Sequence, residues 1–433
     1  MSSAGAWCAI DFGTSNSAVA VAAPGGSRLV ELEAGLPTMP TAVFYFAEHP
    51  ALAPGLPPPC AFGRAAIAAY VDGYEGRLMR SMKSVLGSAL IEQRTDVGGG
   101  HALRYLDVIT GYLRQLQHAA EHATGAPIAR AVLGRPVYFV DDDPLRDAQA
   151  EAALEAAARA VGLRELAFQY EPIAAAFDHE RRIDREECVL VADIGGGTSD
   201  FSLVRVGPQR RGRLDRKDDI LANHGVHTAG TDFDRRIELA SILRELGHGA
   251  FGPARESEPP REVPSAIYLD LATWHLINTV YHPARVAEVK GMAGFYAQPA
   301  HHRRLMRTLQ LRLGHELAAR AEAAKIEVAA GAPAHIELDA VEAGLAVTLT
   351  EQDAVAALTA DIDRIVAAAR ETVRRAGLTP SAVDALYLTG GSTGLALLSD
   401  RLAGAFPGAR AVHGDRLASV ATGLGVDAAH RFG

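Results

Sequence analysis

Two distant segments of this chain share one pattern: a short apolar strand, an aspartate, a glycine-containing turn and a second apolar strand. The segments are residues 9–19 (AIDFGTSNSAV) and residues 191–204 (VADIGGGTSDFSLV). Glycine has no Cβ, so such a turn can bring backbone N–H groups close to an anion. A carboxylate at the mouth of the turn can hold the divalent cation that accompanies a nucleoside triphosphate. The repeat therefore predicts a duplicated fold that holds phosphates from two sides.

A third segment, residues 385–394 (ALYLTGGSTG), repeats the apolar strand and the paired-glycine turn without the aspartate. Apolar periodicity, together with the positions of glycine and proline, predicts the surrounding elements. In the first half these are a hairpin turn at residues 24–26, a helix over 103–124, a strand over 129–139, a helix over 147–161, a strand over 166–170 and a helix over 171–182. In the second half they are a helix over residues 232–246, a mostly helical stretch over 271–330, a hairpin over 337–347 and helices over 352–376 and 395–404.

Length and composition restrict the class of protein. A chain of 433 residues exceeds the size of a single core, so two or more lobes are expected. The formal net charge of −9 argues against nucleic-acid binding, and no apolar run of about 18 residues predicts a membrane span. The N-terminus does not have the pattern of a signal peptide. Three widely spaced cysteines (Cys8, Cys60 and Cys188) suit a reducing compartment, so we expect a cytoplasmic protein.

The three turns, taken in order, resemble the phosphate 1, phosphate 2 and adenosine loops of the superfamily of actin, sugar kinases and Hsp70. The segments that favour Hsp70 are residues 82–87 (MKSVLG), 171–176 (EPIAAA), 230–234 (GTDFD) and 322–325 (EAAK). The segments that resemble the truncated YegD-like branch are residues 132–136 (VLGRP), 168–172 (FQYEP) and 213–216 (RLDR). The resemblance extends over essentially the whole chain and corresponds to the nucleotide-binding domain of Hsp70.

This resemblance implies the actin-like ATPase fold, an α/β architecture of two duplicated ribonuclease-H-like lobes with a nucleotide cleft between them. Lobe I would comprise residues 1–186, with an inserted subdomain at about 37–115. Lobe II would comprise residues 187–433, with an inserted subdomain at about 232–330. Because the sequence stops after the last helix that corresponds to this domain, we expect no peptide-binding domain.

The resemblance also implies ATP or ADP and Mg²⁺ as cofactors, and it assigns roles to individual residues. The implied catalytic residues are Lys83, Glu171, Asp193 and Asp11. The implied nucleotide contacts are Gly13, Thr14, Ser15, Asn16, Gly195, Gly196, Gly197, Thr198, Gly230, Glu322, Lys325, Gly390, Gly391 and Ser392. The implied metal contacts are Asp11, Asp193 and Asp200, and Asp200 is also a candidate for K⁺. In this assignment Lys83 neutralises charge on the γ-phosphate, and Glu171 orients the attacking water.

Each of these residues also has a purely structural interpretation. Asp-Gly turns often end strands, and Glu-Pro often begins a helix. Only four of the 43 basic residues are lysine, and two of these, Lys83 and Lys325, fall on Hsp70-like positions. Chance retention is the alternative explanation for Lys83.

The chain departs from the Hsp70 pattern on the adenosine side. Ala329, Gly394 and Leu417 stand where a serine, an arginine and an aspartate are usual, which predicts weaker nucleotide affinity or base selectivity. Pro136 matches the proline of the interdomain relay. Its arginine partner has no clear counterpart, since ungapped alignment places Glu151 there and Arg146 would need an insertion.

Two functions remain open at this point. The first is a slow Mg²⁺-dependent ATPase, a chaperone or co-chaperone whose lobe closure reports the nucleotide state to an unidentified protein partner. The second is a nucleotide-sensing binding module that does not hydrolyse ATP. A filament-forming actin relative is disfavoured, because Lys83 and the segment that begins at Glu171 point to Hsp70. A sugar kinase is disfavoured, because resemblance to that family would require a substrate carboxylate in a different sequence setting.

Overall fold

The computed structural model describes residues 6–47, 58–98, 101–140, 142–254, 259–415 and 417–433. Strands and helices alternate along both halves of the chain, so the predicted mixed α/β class is confirmed. None of the helices in these ranges is long and apolar enough to cross a membrane.

The elements of the first half are β1 (Trp7–Phe12), β2 (Asn16–Ala23), β3 (Gly26–Leu29), β4 (Thr38–Pro40), β5 (Ala42–Phe46), β6 (Cys60–Phe62), α1 (Gly63–Val71), β7 (Gly76–Arg80), β8 (Arg94–Gly98), β9 (His101–Arg104), α2 (Tyr105–Thr124), β10 (Arg130–Arg135), α3 (Pro144–Ala160), β11 (Glu165–Tyr170) and α4 (Glu171–Glu180). The elements of the second half are β12 (Glu187–Ile194), β13 (Ser199–Val206), β14 (Ile220–Val226), α5 (Gly230–Ala240), α6 (Ala266–Leu271), α7 (Pro283–Gly291), α8 (Pro299–Gln310), α9 (Gly314–Ala329), β15 (Ala334–Glu337), β16 (Ala346–Leu349), α10 (Glu351–Arg375), β17 (Ala385–Thr389), α11 (Ala396–Ala405), β18 (Arg410–His413) and α12 (Ser419–Phe432). A 3-10 helix, Met82–Val85, lies between β7 and β8.

The first large sheet has the order β11-β10-β1-β2-β3, and β4 pairs with the start of β2. Its central strand, β1, runs parallel to β10 and antiparallel to β2. The other residues of β1 are apolar and buried, whereas Asp11 is half buried near the end of the strand. A strand that is covered on both faces is expected to be a continuous apolar run, so the aspartate stands out.

The second large sheet has the order β14-β13-β12-β17-β18. Its central strand, β12, runs parallel to β17 and antiparallel to β13, as β1 does to β10 and β2. Asp193 is half buried near the end of β12. The two sheets therefore share one strand order, and each central strand carries its aspartate at the same end.

Helices α4 and α12 pack against each other and belong to an apolar core that includes strands of both sheets. Gly423 of α12 approaches α4 so closely that a Cβ would lie 1.9 Å from the Ala174 carbonyl oxygen. Ala9 of the first sheet and Val191 of the second belong to the same buried cluster. The two strands that carry the aspartates are thus held by a common core.

Two predicted elements are shorter in the structure than in the prediction. The strand predicted over residues 129–139 ends with β10, because Pro136 has no N–H to donate to a neighbouring strand. The helix predicted over residues 232–246 ends with α5, because Ser241 leaves the helical region with φ −118° and ψ −83°. The helix predicted over residues 103–124 is confirmed as α2.

The described residues form two compact units. The first comprises Met1–Val226, Ala368–Thr393 and Ala403–Gly433, and it contains both large sheets. The second comprises His227–Ala367 and Gly394–Leu402, and it contains helices α5 to α9 and the β15-β16 hairpin. The predicted lobe boundary and the two inserted subdomains stay predictions.

Candidate functional site

The first aspartate turn joins β1 to β2 and is held by Thr41. Thr41 Oγ1 donates to the carbonyl oxygen of Gly13 at 2.8 Å, and the Thr41 N–H donates to that of Ser15 at 2.9 Å. A Cβ on Gly13 would lie 2.1 Å from the Asn16 carbonyl oxygen, so the turn requires glycine. Thr14 and Ser15 are half buried in this turn. The role of Thr14 and Ser15 as phosphate contacts stays a prediction.

The second aspartate turn (residues 193–198) joins β12 to β13. It is closed by a hydrogen bond from the Gly195 N–H to the Thr198 carbonyl oxygen at 3.0 Å. Thr198 Oγ1 donates to Asp200 Oδ2 at 2.8 Å, and Asp200 stands opposite the leading aspartate in the register of the two strands. A Cβ on Gly197 would meet no atom within 4 Å. This turn is therefore sterically more open than the first.

The third turn follows β17 and packs directly on the second aspartate turn. Gly390 has φ +87°, and a Cβ there would lie 2.4 Å from the Ile194 carbonyl oxygen, so this position requires glycine. Ser392 Oγ donates to the Gly195 carbonyl oxygen at 2.7 Å. The structure thus brings the second and third predicted loops into contact.

Lys83 lies on the 3-10 helix between β7 and β8 and reaches Glu171, the first residue of α4. Its Nζ is 2.5 Å from Glu171 Oε1, and only 8% of Lys83 is exposed. Gly134 of β10 leaves room for this contact, because a Cβ there would lie 3.2 Å from Glu171 Cγ. The N-cap residue of α4 is Tyr170, which makes no side-chain capping hydrogen bond. The Glu171 carboxylate therefore contacts a lysine 88 positions away in the sequence.

The electrostatic environment of this ion pair includes both turn aspartates. Removal from water and the charge of Glu171 raise the pKa of Asp11 to about 8. Removal from water and the charge of Asp200 raise the pKa of Asp193 to about 7. Burial alone would lower the pKa of Lys83, but the carboxylates of Glu171 and Asp11 raise it above its ordinary value. Carboxylates outnumber the ammonium group here, so an added cation would relieve their repulsion.

The donor set fits a hydrated divalent cation. Within the described ranges, no group of three His, Cys, Asp or Glu side chains converges closely enough to hold a metal ion unaided. Mg²⁺ usually keeps several waters and is bound through one or two carboxylates plus substrate phosphates. Asp11 and Asp193 are the side chains that would hold it, with Asp200 on the side of the second turn.

The remaining predicted nucleotide contacts lie in the second unit. Gly230 is the first residue of α5, and Glu322 and Lys325 lie on α9. Lys325 Nζ is 2.6 Å from Asp234 Oδ1. Burial raises the pKa of Asp234 to about 6, against the opposing charge of Lys325. Within its own unit, Lys325 is thus held by an acidic partner on α5.

Two acids of α5 that lie one helical turn apart, the half-buried Asp234 and the buried Glu238, received no role from the sequence. Asp234 is the partner of Lys325, whereas Glu238 is 2% exposed and its Oε1 has no hydrogen-bond partner in the part of the chain that the structure describes. Burial and the charge of Asp234 raise the pKa of Glu238 well above its ordinary value. The four-residue spacing of the two acids was the available sequence signal.

The three residues that depart from the Hsp70 pattern on the adenosine side lie at the ends of elements or on the surface. Ala329 is the last residue of α9, and Gly394 ends a 3-10 turn. Leu417 is 49% exposed, and its side chain lies beside Gly391. These three positions offer no polar side chain.

The two candidates for the relay position have different partners. Glu151 of α3 forms an ion pair with Arg135 at the end of β10, whereas Arg146 Nε donates to the Gly87 carbonyl oxygen at 2.8 Å. Arg135 directly precedes Pro136 and has no role in the pattern implied by the resemblance. A single arginine at the end of a buried strand was the signal that could have found it.

Comparison with known proteins agrees with this arrangement. Residues 87–246 match the family model described as Hsp70 protein, a segment that contains Glu171 and the second aspartate turn. Chaperone protein dnaK of Gracilaria tenuistipitata var. liui is 28% identical over 250 residues, which are 55% of this chain and 38% of that protein. A chaperone protein HscA homolog of Pseudomonas paraeruginosa is 30% identical over 261 residues, which are 58% of this chain and 39% of that protein.

A further HscA homolog, from Aromatoleum aromaticum, is 30% identical over 245 residues, which are 53% of this chain and 36% of that protein. The chain thus covers less than two fifths of the length of these curated relatives. The family match includes Glu171 and the second aspartate turn, whereas Lys83 and the first aspartate turn precede the matched segment. The family match and the named relatives agree, and both show that this chain is similar to proteins of the Hsp70 family.

Proposed function

We propose that this chain is an Hsp70-like, Mg²⁺-dependent ATP-binding protein that hydrolyses ATP slowly and acts as a chaperone or co-chaperone. The observation that carries the proposal is the contact between Lys83 and Glu171, with Asp11 and Asp193 close enough to perturb it. Four ionisable groups from separate elements converge there. Burying more carboxylates than cations destabilises the folded state, so such a group indicates a functional site or a site for a bound cation. Perturbed carboxyl groups of this kind are typical of functional sites.

We further propose that each large sheet is the centre of a ribonuclease-H-like lobe and that the two aspartate turns face one nucleotide cleft. The shared strand order of the two sheets supports this arrangement, as does the position of each aspartate at the same end of its central strand. The contact between the third turn and the second turn supports a common phosphate-binding region.

Phosphoryl transfer requires little covalent chemistry from the protein, because it depends mainly on positioning, charge neutralisation and an oriented water. Lys83 would neutralise charge on the transferred phosphoryl group, and Glu171 would orient the attacking water. The backbone N–H groups of residues 13–16 and 195–198 would donate to phosphate oxygens. Mg²⁺, when bound, would neutralise phosphate charge beside Asp11 and Asp193, with K⁺ as a candidate near Asp200.

We also propose adenosine contacts, a protein partner and a cellular compartment for this chain. Glu322 and Lys325 would contact the adenosine part of the nucleotide. An unidentified protein partner would respond to the nucleotide state of the chain. We place the protein in the cytoplasm, where its three free cysteines (Cys8, Cys60 and Cys188) would stay reduced.

The test is phosphate release from Mg²⁺-ATP in potassium buffer, measured for the wild-type protein and Lys83→Ala. We expect slow release by the wild type and a loss of at least about a hundredfold in the variant, the scale seen when a group that stabilises transition-state charge is removed. Lys290→Ala is the matched control, because Lys290 is an exposed lysine of α7 in the other unit. Equal rates for Lys83→Ala and the wild type would contradict the proposal.

A second function, a nucleotide-sensing module without hydrolysis, is favoured by the apolar or glycine residues on the adenosine side, Ala329, Gly394 and Leu417. These residues indicate that the nucleotide site of this chain differs from the nucleotide site of the chaperones that the chain resembles. ATP binding measured by titration calorimetry, together with undetectable phosphate release by the wild type, would support this function. Such a result would overturn the ATPase and leave the nucleotide site.

A further inference from the structure

Arg135 is the last residue of β10, and its guanidinium group contacts two carboxylates and a backbone carbonyl oxygen. Its Nη2 is 2.9 Å from Asp147 Oδ2, and its Nη1 pairs with Glu151, one turn further along α3. Its Nε donates to the Pro136 carbonyl oxygen at 3.1 Å. Only 13% of the Arg135 side chain is exposed, so the guanidinium group is fixed from several directions.

Two aromatic rings complete this environment. The Arg135 Cζ atom lies 5.1 Å from the centre of the Tyr170 ring and 5.4 Å from the centre of the Phe139 ring. A guanidinium group can stack on aromatic faces while its edges bind carboxylates, whereas a lysine ammonium cannot do both. The site therefore uses the planar shape of arginine as well as its charge.

Tyr170 connects this cluster to the candidate catalytic centre. It pairs with Arg135 in the register of β10 and β11, and it is the N-cap residue immediately before Glu171. The residue before Arg135, Gly134, lies against the Glu171 side chain. Each member of the Arg135–Tyr170 pair is therefore next in sequence to a residue of the Glu171 site, Gly134 on β10 and Glu171 itself after β11.

We propose that Arg135 is a positioning residue for Glu171: by stacking on Tyr170 and binding α3, it fixes the end of β11 and so the direction of the Glu171 carboxylate toward Lys83. This inference rests on the proposed ATPase function. Arg135 touches neither Lys83 nor the turn aspartates in these contacts, so it acts through Tyr170 and Glu171. The ion pair with the part-exposed Glu151 contributes little to stability. The stacking of Arg135 on Tyr170 is therefore the contact that we expect to position Glu171.

The first experiment compares ATP turnover by the wild type and Arg135→Lys. Lysine keeps a positive charge beside Asp147 and Glu151, so the fold is expected to be retained, and the thermal unfolding midpoint checks this. We expect kcat to fall roughly fivefold to tenfold while KM for ATP changes less than about twofold, because positioning affects the reacting geometry rather than ground-state binding. Arg159→Lys on the same helix is the matched control, since Arg159 pairs with Glu155 and contacts no ring in the described structure.

The decisive readout is a double-mutant cycle with Glu171→Asp, a shortened carboxylate that is already displaced. If Arg135 acts through Glu171, Arg135→Lys has little further effect on kcat in the Glu171→Asp protein. The same fold-loss in both backgrounds, or an unchanged kcat in Arg135→Lys, would overturn the inference. Absence of turnover in the wild type would instead be a failure of the proposed function, so the two failures are distinguishable.

Discussion

The two aspartate turns are built on sheets with the same strand order, yet their surroundings differ. Asp11 lies near an ammonium and a carboxylate that come from outside the repeat, on the 3-10 helix and on α4. Among charged groups, Asp193 is affected most by Asp200 of its own turn and less by Glu171 and Lys83, and the third turn packs on the neighbouring Ile194. The duplication therefore accounts for the scaffold, and the segments that were not repeated account for the candidate chemistry.

Glu171→Gln, beside the first turn, is expected to have the largest effect on the catalytic rate. The substitution keeps the size of the side chain and removes its charge. We expect kcat to fall about a hundredfold to a thousandfold, the range for loss of a positioned general base, with nucleotide affinity retained. Phosphate release under single-turnover conditions measures the first quantity and titration calorimetry the second. Glu165→Gln, an exposed residue of β11, is the control. A loss below about threefold would show that chemistry is not concentrated beside the first turn.

The next prediction concerns glycines that occupy corresponding turns. Alanine at Gly13 would place a Cβ 2.1 Å from the Asn16 carbonyl oxygen, whereas alanine at Gly197 would meet no atom within 4 Å. We expect Gly13→Ala to lower the free energy of unfolding by about 2–3 kcal/mol and Gly197→Ala to change it by less than about 0.5 kcal/mol. Urea denaturation followed by circular dichroism measures both values. Equal effects would mean that the two turns have the same steric demands.

Sequence reasoning found the three turns because each depends on local features, namely an apolar strand and glycines at positions where a Cβ would collide. The helix α2 was equally predictable from its apolar period and from Gly125, which ends it with φ +68°. The contact of Lys83 with Glu171 came only through the resemblance, since nothing local relates residues 88 positions apart. The stacking of Arg135 on Tyr170 depends on the register of two parallel strands, which a single sequence does not determine.

A smaller effect is expected in the pH dependence of stability. The pKa of Asp11 is about 8 and that of Asp193 about 7 in the folded protein, both above the ordinary value of 3.8. Between about pH 4 and pH 8 the folded protein therefore keeps protons that the unfolded chain has released, and its free energy of unfolding falls as the pH rises. Denaturation without nucleotide or divalent cation, from about pH 5 to about pH 8, measures this slope.

Replacing each aspartate by asparagine distinguishes the contributions of Asp11 and Asp193 to this pH dependence. Asp11→Asn should flatten the slope up to a higher pH than Asp193→Asn does, because the pKa of Asp11 is raised further. Asp72→Asn, at an exposed position after α1, is the control and should leave the slope unchanged. A free energy of unfolding that rises with pH in the wild type would contradict the assigned environments. The same pH dependence in all three variants would also contradict them.

The smallest expected effect belongs to Asp200→Asn in the second turn. Asparagine can still accept the hydrogen bond from Thr198 Oγ1, so the turn should persist, but the charge opposite Asp193 is removed. We expect the pKa of Asp193 to move back toward its ordinary value, because the charge of Asp200 contributes to raising it. We expect kcat to change less than about fivefold, because Asp200 is a candidate cation contact and is not proposed to act on the phosphoryl group or the attacking water. ATP turnover at several K⁺ concentrations measures this change. A loss as large as that of Glu171→Gln would show that the second turn carries chemistry of its own, and the contrast between the two turns would then be wrong.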